Sequence, residues 1–482
     1  MRMFYYMYAV SKICQKLLRV KMEEVKMNLI YKVEDRPKFL QVIMFAIQQL
    51  LAIMAATLVV PVIINSNAGL EGKDAMSTAA ALFGAGVGTL IYLLFTKRKS
   101  PVFLGSSFAF IGSMTAAFAG AVSVSVGYLG LIIGAIFAGL VYVIIAIIVK
   151  IAGVDWLNKL MPPVVIGPTV AIIGLSLAGN AVGDLQTANS GGSPLIAIVC
   201  GLVTLIVTTL CATYGKKMTR LIPFIIGILA GYAVAAVFTV IGNAADINAL
   251  KISNFSSLTA LTAEGINLKT FFTVPDFTFI TAFGGFKSLT GAYIGTIAMA
   301  YVPVAFVVFA EHVADHKNIS SIIGKDLLEE PGLSRTLLGD GVGSMAGALF
   351  GGCPNTTYGE SVACVAITRN ASVLTIFTAA IGALLISFLA PFVAFVNSIP
   401  SCVMGGVCMA LYGFIAVSGL KMLQKVDLNL NRNLFVASVI LIAGIGGLSV
   451  TFGKITITSI ACALILGIVV NIILSKEKVG EE

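Results

Sequence analysis

The chain has 482 residues, of which 58% are hydrophobic and 11% charged. That balance excludes a disordered chain and an ordinary water-soluble domain. The formal charge of +9 reads as basic loops at a membrane face rather than as a nucleic-acid surface, because the basic residues fall between long apolar runs.

Residues 1–38 form a basic, interfacial tail without the small-residue cleavage site of a secretory signal. Within it, Met27 opens Met-Asn-Leu-Ile-Tyr-Lys, a second candidate start that would place residues 1–26 outside the native protein. Apolar segments near the length needed to cross a bilayer, about 20 residues, then follow. They are 39–65, 77–96, 101–121, 124–149, 162–182, 194–213, 221–243, 291–320, 334–351, 354–368, 371–396, 400–419, 433–451 and 455–475. These fourteen segments predict an all-α polytopic membrane protein.

Charge orients the segments. With the N-terminus inside, the inner loops hold Lys97, Arg98, Lys99, Lys150, Lys159, Lys216, Lys217, Arg220, Lys317, Lys325, Arg335, Arg369, Lys421, Lys425 and Arg432. The outer loops hold only Lys73, Lys251, Lys269, Lys287 and Lys454. The excess inside predicts two cytoplasmic termini. The long loop 244–290, aromatic over 270–286, is expected outside and partly on the membrane surface. It divides the chain into two groups of seven. Seven is odd, so the second group enters from the opposite face, which is an inverted repeat. Two weak echoes support the repeat. Pro162-Pro163-Val164-Val165-Ile166-Gly167 parallels Pro400-Ser401-Cys402-Val403-Met404-Gly405. The extended-looking run from Pro101 to Phe110 parallels the stretch around Pro354.

The eight cysteines form no CxxC pair and sit mostly in apolar runs, so they read as small packing residues. Two histidines without an HExxH pattern give no metal site. His312 and His316 read as hydrogen-bonding core or interface residues.

The chemistry concentrates in Cys353-Pro354-Asn355-Thr356-Thr357-Tyr358-Gly359-Glu360 and its continuation to Arg369, a polar, turn-rich stretch between apolar segments. Facing lipid, its broken backbone and its charge would lack partners. It is expected to be an unwound segment feeding a short helix, buried in protein and lining a cavity. Gly359 allows close approach to the backbone, the first N–H groups of the helix point at whatever lies there, and Glu360 accepts. Glu311 has two open readings: an interfacial residue where the bilayer ends, with His312, Asp315 and Lys317, or one of a stripe Glu311, Asp315, Asn318 on one helical face toward a cavity. Asp340, between two glycines, reads as structural or interfacial.

These residues carry a resemblance. Pro354 to Glu360, the later Thr368-Arg369, Ala310-Glu311-His312, and Leu104-Gly105-Ser106-Ser107-Phe108-Ala109-Phe110 resemble the nucleobase–ascorbate transporter family, most nearly its bacterial uracil permeases, over residues 37–476. The resemblance implies two inverted sevens, with segments 3 and 10 each built as a short strand plus a half-helix. It implies a core domain of residues 39–150 and 291–398 and a gate domain of 151–243 and 399–476. Loop 244–290 and the tails 1–38 and 477–482 lie outside them. It further implies a homodimer in the bacterial cell membrane, moving core against gate. Carried over by position, Glu311 and Glu360 bind the base. Backbone N–H groups of Phe108 and Gly359 serve its carbonyls, and Phe108, Tyr358 and Tyr412 form walls, with Ala56 near the ring. Departures are Ser361 and Ala363 where the family has Asn and Gly, Gln48-Gln49 where it often has Gln-His, and Asp315 where some members have His.

The expected function is proton-coupled import of uracil, with Glu311, helped by Asp315, carrying the proton and Glu360 recognising the base. No cofactor is expected beyond the proton gradient, and no nucleic-acid partner. Xanthine or another purine is the alternative substrate. An anion transporter of related fold is disfavoured because two carboxylates would repel the ligand. A membrane-embedded enzyme lacks a nucleophile–base pair or phosphate loop, and a receptor-like protein would bind without transport.

Overall fold

A computed structural model describes residues 29–153, 161–188, 190–216, 218–263, 265–452 and 455–474. The candidate start at Met27 and the tail 477–482 lie outside the described residues. The chain runs α1 (Phe39–Ala68), α2 (Thr78–Phe95), β1 (Leu104–Ser106), α3 (Ile111–Ala119), α4 (Val124–Ala152), α5 (Pro163–Ser176), α6 (Ala178–Gln186), α7 (Pro194–Tyr214) and α8 (Pro223–Ala244). After short helices in the 244–290 loop come α9 (Gly291–Ile323), α10 (Leu333–Gly351), β2 (Asn355–Thr357), α11 (Gly359–Thr368), α12 (Val373–Ile386), α13 (Ala390–Asn397), α14 (Ser401–Leu423) and α15 (Asn431–Ile445). Strands β3 (Val450–Phe452) and β4 (Ile455–Ile457) precede α16 (Ser459–Leu474).

Among the described residues, eight helical stretches are long and apolar enough to cross a bilayer: α1, α2, α4, α5 with α6, α7, α8, α9 and α14. The chain is therefore a polytopic membrane protein. The other apolar segments are shorter or broken. Segment 101–121 is a strand and a nine-residue helix. Segment 371–396 is the two helices α12 and α13. Among the described residues strands form two two-stranded antiparallel sheets; β1 and β2 fall in segments 3 and 10, where the resemblance implies a short strand, and only the second sheet departs from the expected helices. Pairing of β3 with β4 takes residues out of the expected helical segments 433–451 and 455–475. Val450-Thr451-Phe452 and Ile455-Thr456-Ile457 are β-branched and aromatic runs joined by Gly453-Lys454, which is hairpin chemistry.

Helix ends follow local rules. Ser77, Ser123 and Thr290 accept from the N–H groups of Ala80, Val126 and Tyr293 and so start α2, α4 and α9. Gly352 ends α10 at φ 72°, a left-handed conformation that frees the chain to leave the helix before Pro354.

The helices pack in two groups. Helix α10 packs on α2 and α4, α9 on α4, and α12 on α1 and α2. Helix α14 packs on α5, α6 and α7, α8 on α7, and α15 on α5 and α16. Small residues permit the closest crossing: a Cβ on Gly84 of α2 would stand 2.4 Å from the Gly347 carbonyl oxygen of α10. Gly84 and Gly88 on one helix face Gly343 and Gly347 on the other, small residues four apart on both partners.

That crossing places β2. Asn355 donates from Nδ2 to the Gly84 carbonyl at 3.0 Å. Strand β2 pairs antiparallel with β1, with Leu104, Gly105 and Ser106 opposite Thr357, Thr356 and Asn355. The ladder continues outward, with Ser107 N–H donating to the Pro354 carbonyl at 2.9 Å and Tyr358 N–H to the Phe103 carbonyl at 3.2 Å. Two unwound segments far from water thus satisfy each other's backbone, which a membrane interior demands.

Candidate functional site

The paired strands aim their two following helices at one space. Neither α3 nor α11 has a side chain capping its first turn; Ile111 N–H of α3 bonds back to the Phe108 carbonyl at 3.1 Å, and the next N–H groups of α3 and the first of α11 lack a capping side chain. Around them the strand pair is locked by side chains. Tyr358 donates from its hydroxyl to the Ser106 carbonyl at 2.7 Å. Thr89 Oγ1 accepts from Leu104 N–H at 2.9 Å. Ser361 Oγ accepts from Phe103 N–H at 3.0 Å and from the Gln49 amide. Gln49 on α1 and Ser361 on α11 therefore bond to each other.

The space is a cavity of about 440 Å³. Its wall from the first helix group carries Ser107, Phe108, Glu311, Ala314, Asp315, Asn318, Thr357, Tyr358, Gly359 and Glu360. Its opposite wall carries Val170, Phe224, Leu411, Phe414, Ile415, Ser418 and Met422. The structure thus brings together Glu311, Asp315, Glu360, Phe108, Tyr358 and Gly359. Ala56 and Tyr412 are buried and do not line this cavity; Tyr412 stands behind Phe108, its ring edge-on with centroids 6.5 Å apart.

Glu311 lies within α9, which runs twelve residues beyond it, so the interfacial reading of Glu311 gives way to the stripe reading. Glu311, Ala314, Asp315 and Asn318 share one face by helical spacing. Asp315 accepts from Thr357 Oγ1 at 2.9 Å, which joins α9 to β2. A Cβ on Gly359 would stand 3.9 Å from Asp315 Oδ1. Among the described residues no other side chain bonds to Glu311 or Glu360, and no cationic side chain lines the cavity.

An adjoining face of α9 is anchored. His312 Nδ1 lies 2.6 Å from Asp340 Oδ2 and its Nε2 3.0 Å from Thr336 Oγ1. His316 Nε2 lies 2.6 Å from the Tyr92 hydroxyl, which donates to Ser100 Oγ at 2.7 Å. These groups are fully buried, as core hydrogen-bonding histidines and a structural Asp340 would be. They fix the rotation of α9 and hence the direction of Glu311. The described cysteines are free, six of them buried, and no cluster suited to a metal occurs among the described residues.

At the far ends of α1 and α6 a polar link spans the two helix groups. Ser66 donates to Asp184 Oδ1 at 2.9 Å, and Asn180 Nδ2 donates to Asn67 Oδ1 at 2.6 Å.

Sequence reasoning missed Thr357 as the partner of Asp315 and the whole opposite wall. Leu411, Phe414, Ile415, Ser418 and Met422 do recur at helical spacing on α14, but they sit in a helix apolar on every side.

The arrangement is acceptor-rich and cation-free on one wall and apolar on the other. It suits a small, flat, neutral molecule bearing N–H donors and carbonyl acceptors, and disfavours a free anion. Among solved structures, the transmembrane domain of the cyanobacterial bicarbonate transporter BicA aligns with TM-score 0.59 at 14% identity, covering 91% of this chain and 99% of that one. The murine anion transporter Slc26a9 aligns with TM-score 0.59 at 11% identity, covering 92% and 69%. Both likenesses are of fold alone. The chain is 38% identical to a uracil permease of Bacillus subtilis (strain 168) over 466 residues, 95% of this chain and 97% of that one. It is 36% identical to a uracil permease of Escherichia coli (strain K12) over 445 residues, 92% and 93% of the two chains. The family model Xan_ur_permease, described as "Permease family", matches residues 40–453, and the chain therefore belongs to that family of membrane permeases.

Proposed function

We propose that the chain is a uracil permease that imports the base together with a proton. The observation that carries this is the meeting of Glu311 and Glu360, unpaired by any other side chain among the described residues, with Ser107, Phe108 and Ala109 leading into α3 and the uncapped first turn of α11 in one cavity. Uracil offers two ring N–H donors and two carbonyls. The carboxyl groups of Glu311 and Glu360 take the N–H groups, and the backbone N–H groups of Phe108 and Gly359 take the carbonyls. Phe108 and Tyr358 flank the ring. Each charge-assisted hydrogen bond contributes roughly 1.5–3 kcal/mol. The printed names of the relatives, uracil permeases at 36–38% identity and a putative pyrimidine permease at 29%, favour a pyrimidine.

The proton belongs to Glu311, helped by Asp315, and recognition to Glu360. In symport the Glu311 carboxyl holds its proton while the base is bound, its second oxygen still free to accept a ring N–H, and both leave on the inner side, so that the empty carrier returns without the proton. The fold reading that goes with this is fourteen segments in two inverted sevens, both termini cytoplasmic, in the cell membrane. The first helix group acts as core (39–150 and 291–398) and the second as gate (151–243 and 399–476); their separate packing supports that division. Relative movement of core and gate exposes the cavity alternately, and two copies associate through their gates. In this orientation the Ser66–Asp184 and Asn67–Asn180 links join core and gate on the outer side.

A purine is the second reading, favoured by the cavity volume of about 440 Å³, which leaves room for a second ring. Uptake of labelled uracil into vesicles containing the purified protein tests both. Uracil uptake that rises with an inward proton gradient and is competed by 5-fluorouracil supports the proposal. Competition by xanthine alone supports the purine, and absence of any uptake refutes transport.

A further inference from the structure

We infer that a second chamber beside the substrate cavity is a binding site for an anionic phospholipid. The chamber has a volume of about 720 Å³. It shares Ala314 and Asn318 with the substrate cavity but lies around the flank of α9. Ala310, Val313, Ala314 and Lys317 line it at helical spacing, whereas Glu311 and Asp315 point into the other space.

Two features decide the chemistry of the occupant. Three lysines line the chamber, and each comes from a different element: Lys150 in the last turn of α4, Lys317 on α9, and Lys425 just after α14. Among the described residues none of the three takes part in an ion pair. The single carboxylate of the lining is Glu329, which leaves a net positive chamber. The remaining wall is mostly apolar, with Met161, Ile166, Phe309, Val313 and Leu333 prominent. Apolar walls concentrate the field of the lysines, so an anion is favoured. The same walls offer few groups to a sugar or a base, while a hydrocarbon chain fits them. A phosphate on the lysines and an acyl chain along the walls satisfies both, and lysines close to a membrane face are the usual partners of anionic lipid. Lys150 and Lys317 belong to one helix group and Lys425 to the other, so one headgroup held by all three ties the groups together on this side.

The test is native mass spectrometry of the delipidated full-length protein in neutral detergent, titrated with phosphatidylglycerol or with phosphatidylcholine. Phosphatidylglycerol is expected to bind preferentially at one site per chain. Lys317→Gln/Lys425→Gln is expected to weaken it about twenty-five-fold, from about five-fold for each lysine. Lys425→Gln alone, which lies outside the helices, keeps the test standing if the double variant does not fold. Lys251→Gln, whose lysine pairs with Asp246 at 3.3 Å, serves as the control and leaves binding unchanged. Equal binding of the two lipids, or unchanged phosphatidylglycerol binding by the lysine variants, overturns the inference; the lysines then only mark a membrane face. Displacement of the lipid by inorganic phosphate at equal concentration also overturns it, in favour of a soluble anion. Because the readout is lipid binding without uracil, its failure leaves the transport proposal untouched.

Discussion

Replacing Glu360 by Gln isolates the recognition step. Glu360 sits in the first turn of α11 and lines the cavity. No other side chain among the described residues bonds to it, so the substitution strands no buried partner and preserves shape. What changes is the ligand. One charge-assisted hydrogen bond from a ring N–H is lost, and an amide N–H can be turned toward that donor. The lost bond contributes roughly 1.5–3 kcal/mol, which corresponds to a roughly ten- to hundred-fold weaker uracil affinity. Calorimetric titration of the purified variant reads this directly, with its melting temperature as a check that the fold is intact. A folded Glu360→Gln protein with wild-type uracil affinity would refute the reasoning, because the carboxylate would then not be touching the base.

Four further outcomes follow from the structure. Glu311→Gln is expected to bind uracil yet fail to concentrate it under an inward proton gradient in vesicles; accumulation at the wild-type level would remove Glu311 from the coupling role. Ser66→Ala with Asp184→Ala removes one link between the helix groups, a hydrogen bond contributing about 1 kcal/mol. A single cysteine at Ala109, in a background otherwise free of cysteine, should then react about five-fold faster with an impermeant thiol reagent added outside, and an unchanged rate would remove the link from the gate. Gly84→Val puts a branched side chain where even a Cβ would stand 2.4 Å from the Gly347 carbonyl oxygen. Overpacking of a tight core typically costs about 1–3 kcal/mol or more, and this variant is expected to lose its monodisperse peak in fluorescence-detected chromatography. Lys99 beside Glu330 holds that exposed carboxyl below its ordinary range. A depressed carboxyl contributes stability above its unfolded value and loses it as pH falls through the folded one. The pair is solvent-screened, so Glu330→Gln should leave the melting temperature at neutral pH unchanged, and a large drop would show the pair to be structural.

The sequence was most legible where polarity broke an apolar background. Glu360 stood out because a carboxylate, a glycine and a proline interrupt hydrophobic segments. Glu311, Asp315 and Asn318 could be placed on one helical face by spacing alone. What spacing could not say was whether α9 continued past Glu311. The anchoring histidines decide that, and His312 meets Asp340 only through the packing of α10 on α4 and α2. The bond from Thr357 to Asp315 was hidden for the same reason, since it joins a strand and a helix 42 positions apart. The opposite wall was hidden by uniformity. Phe414 and Ser418 lie in a helix apolar all round, where hydropathy offers no contrast between lipid, partner helix and cavity. The pairing of β3 with β4 was legible in its β-branched residues, yet a segment count based on apolar length absorbed both strands into helices.

Uracil import as proposed depends on two carboxyl groups from distant parts of the chain grasping one neutral base between the ends of two broken segments. A density map of the uracil-bound protein tests it most directly. The ring is expected in the cavity of Phe108 and Tyr358, each N–H within about 3.2 Å of a carboxyl oxygen of Glu311 or Glu360. A ring bound elsewhere, or held in that cavity with both carboxylates turned away, would contradict it.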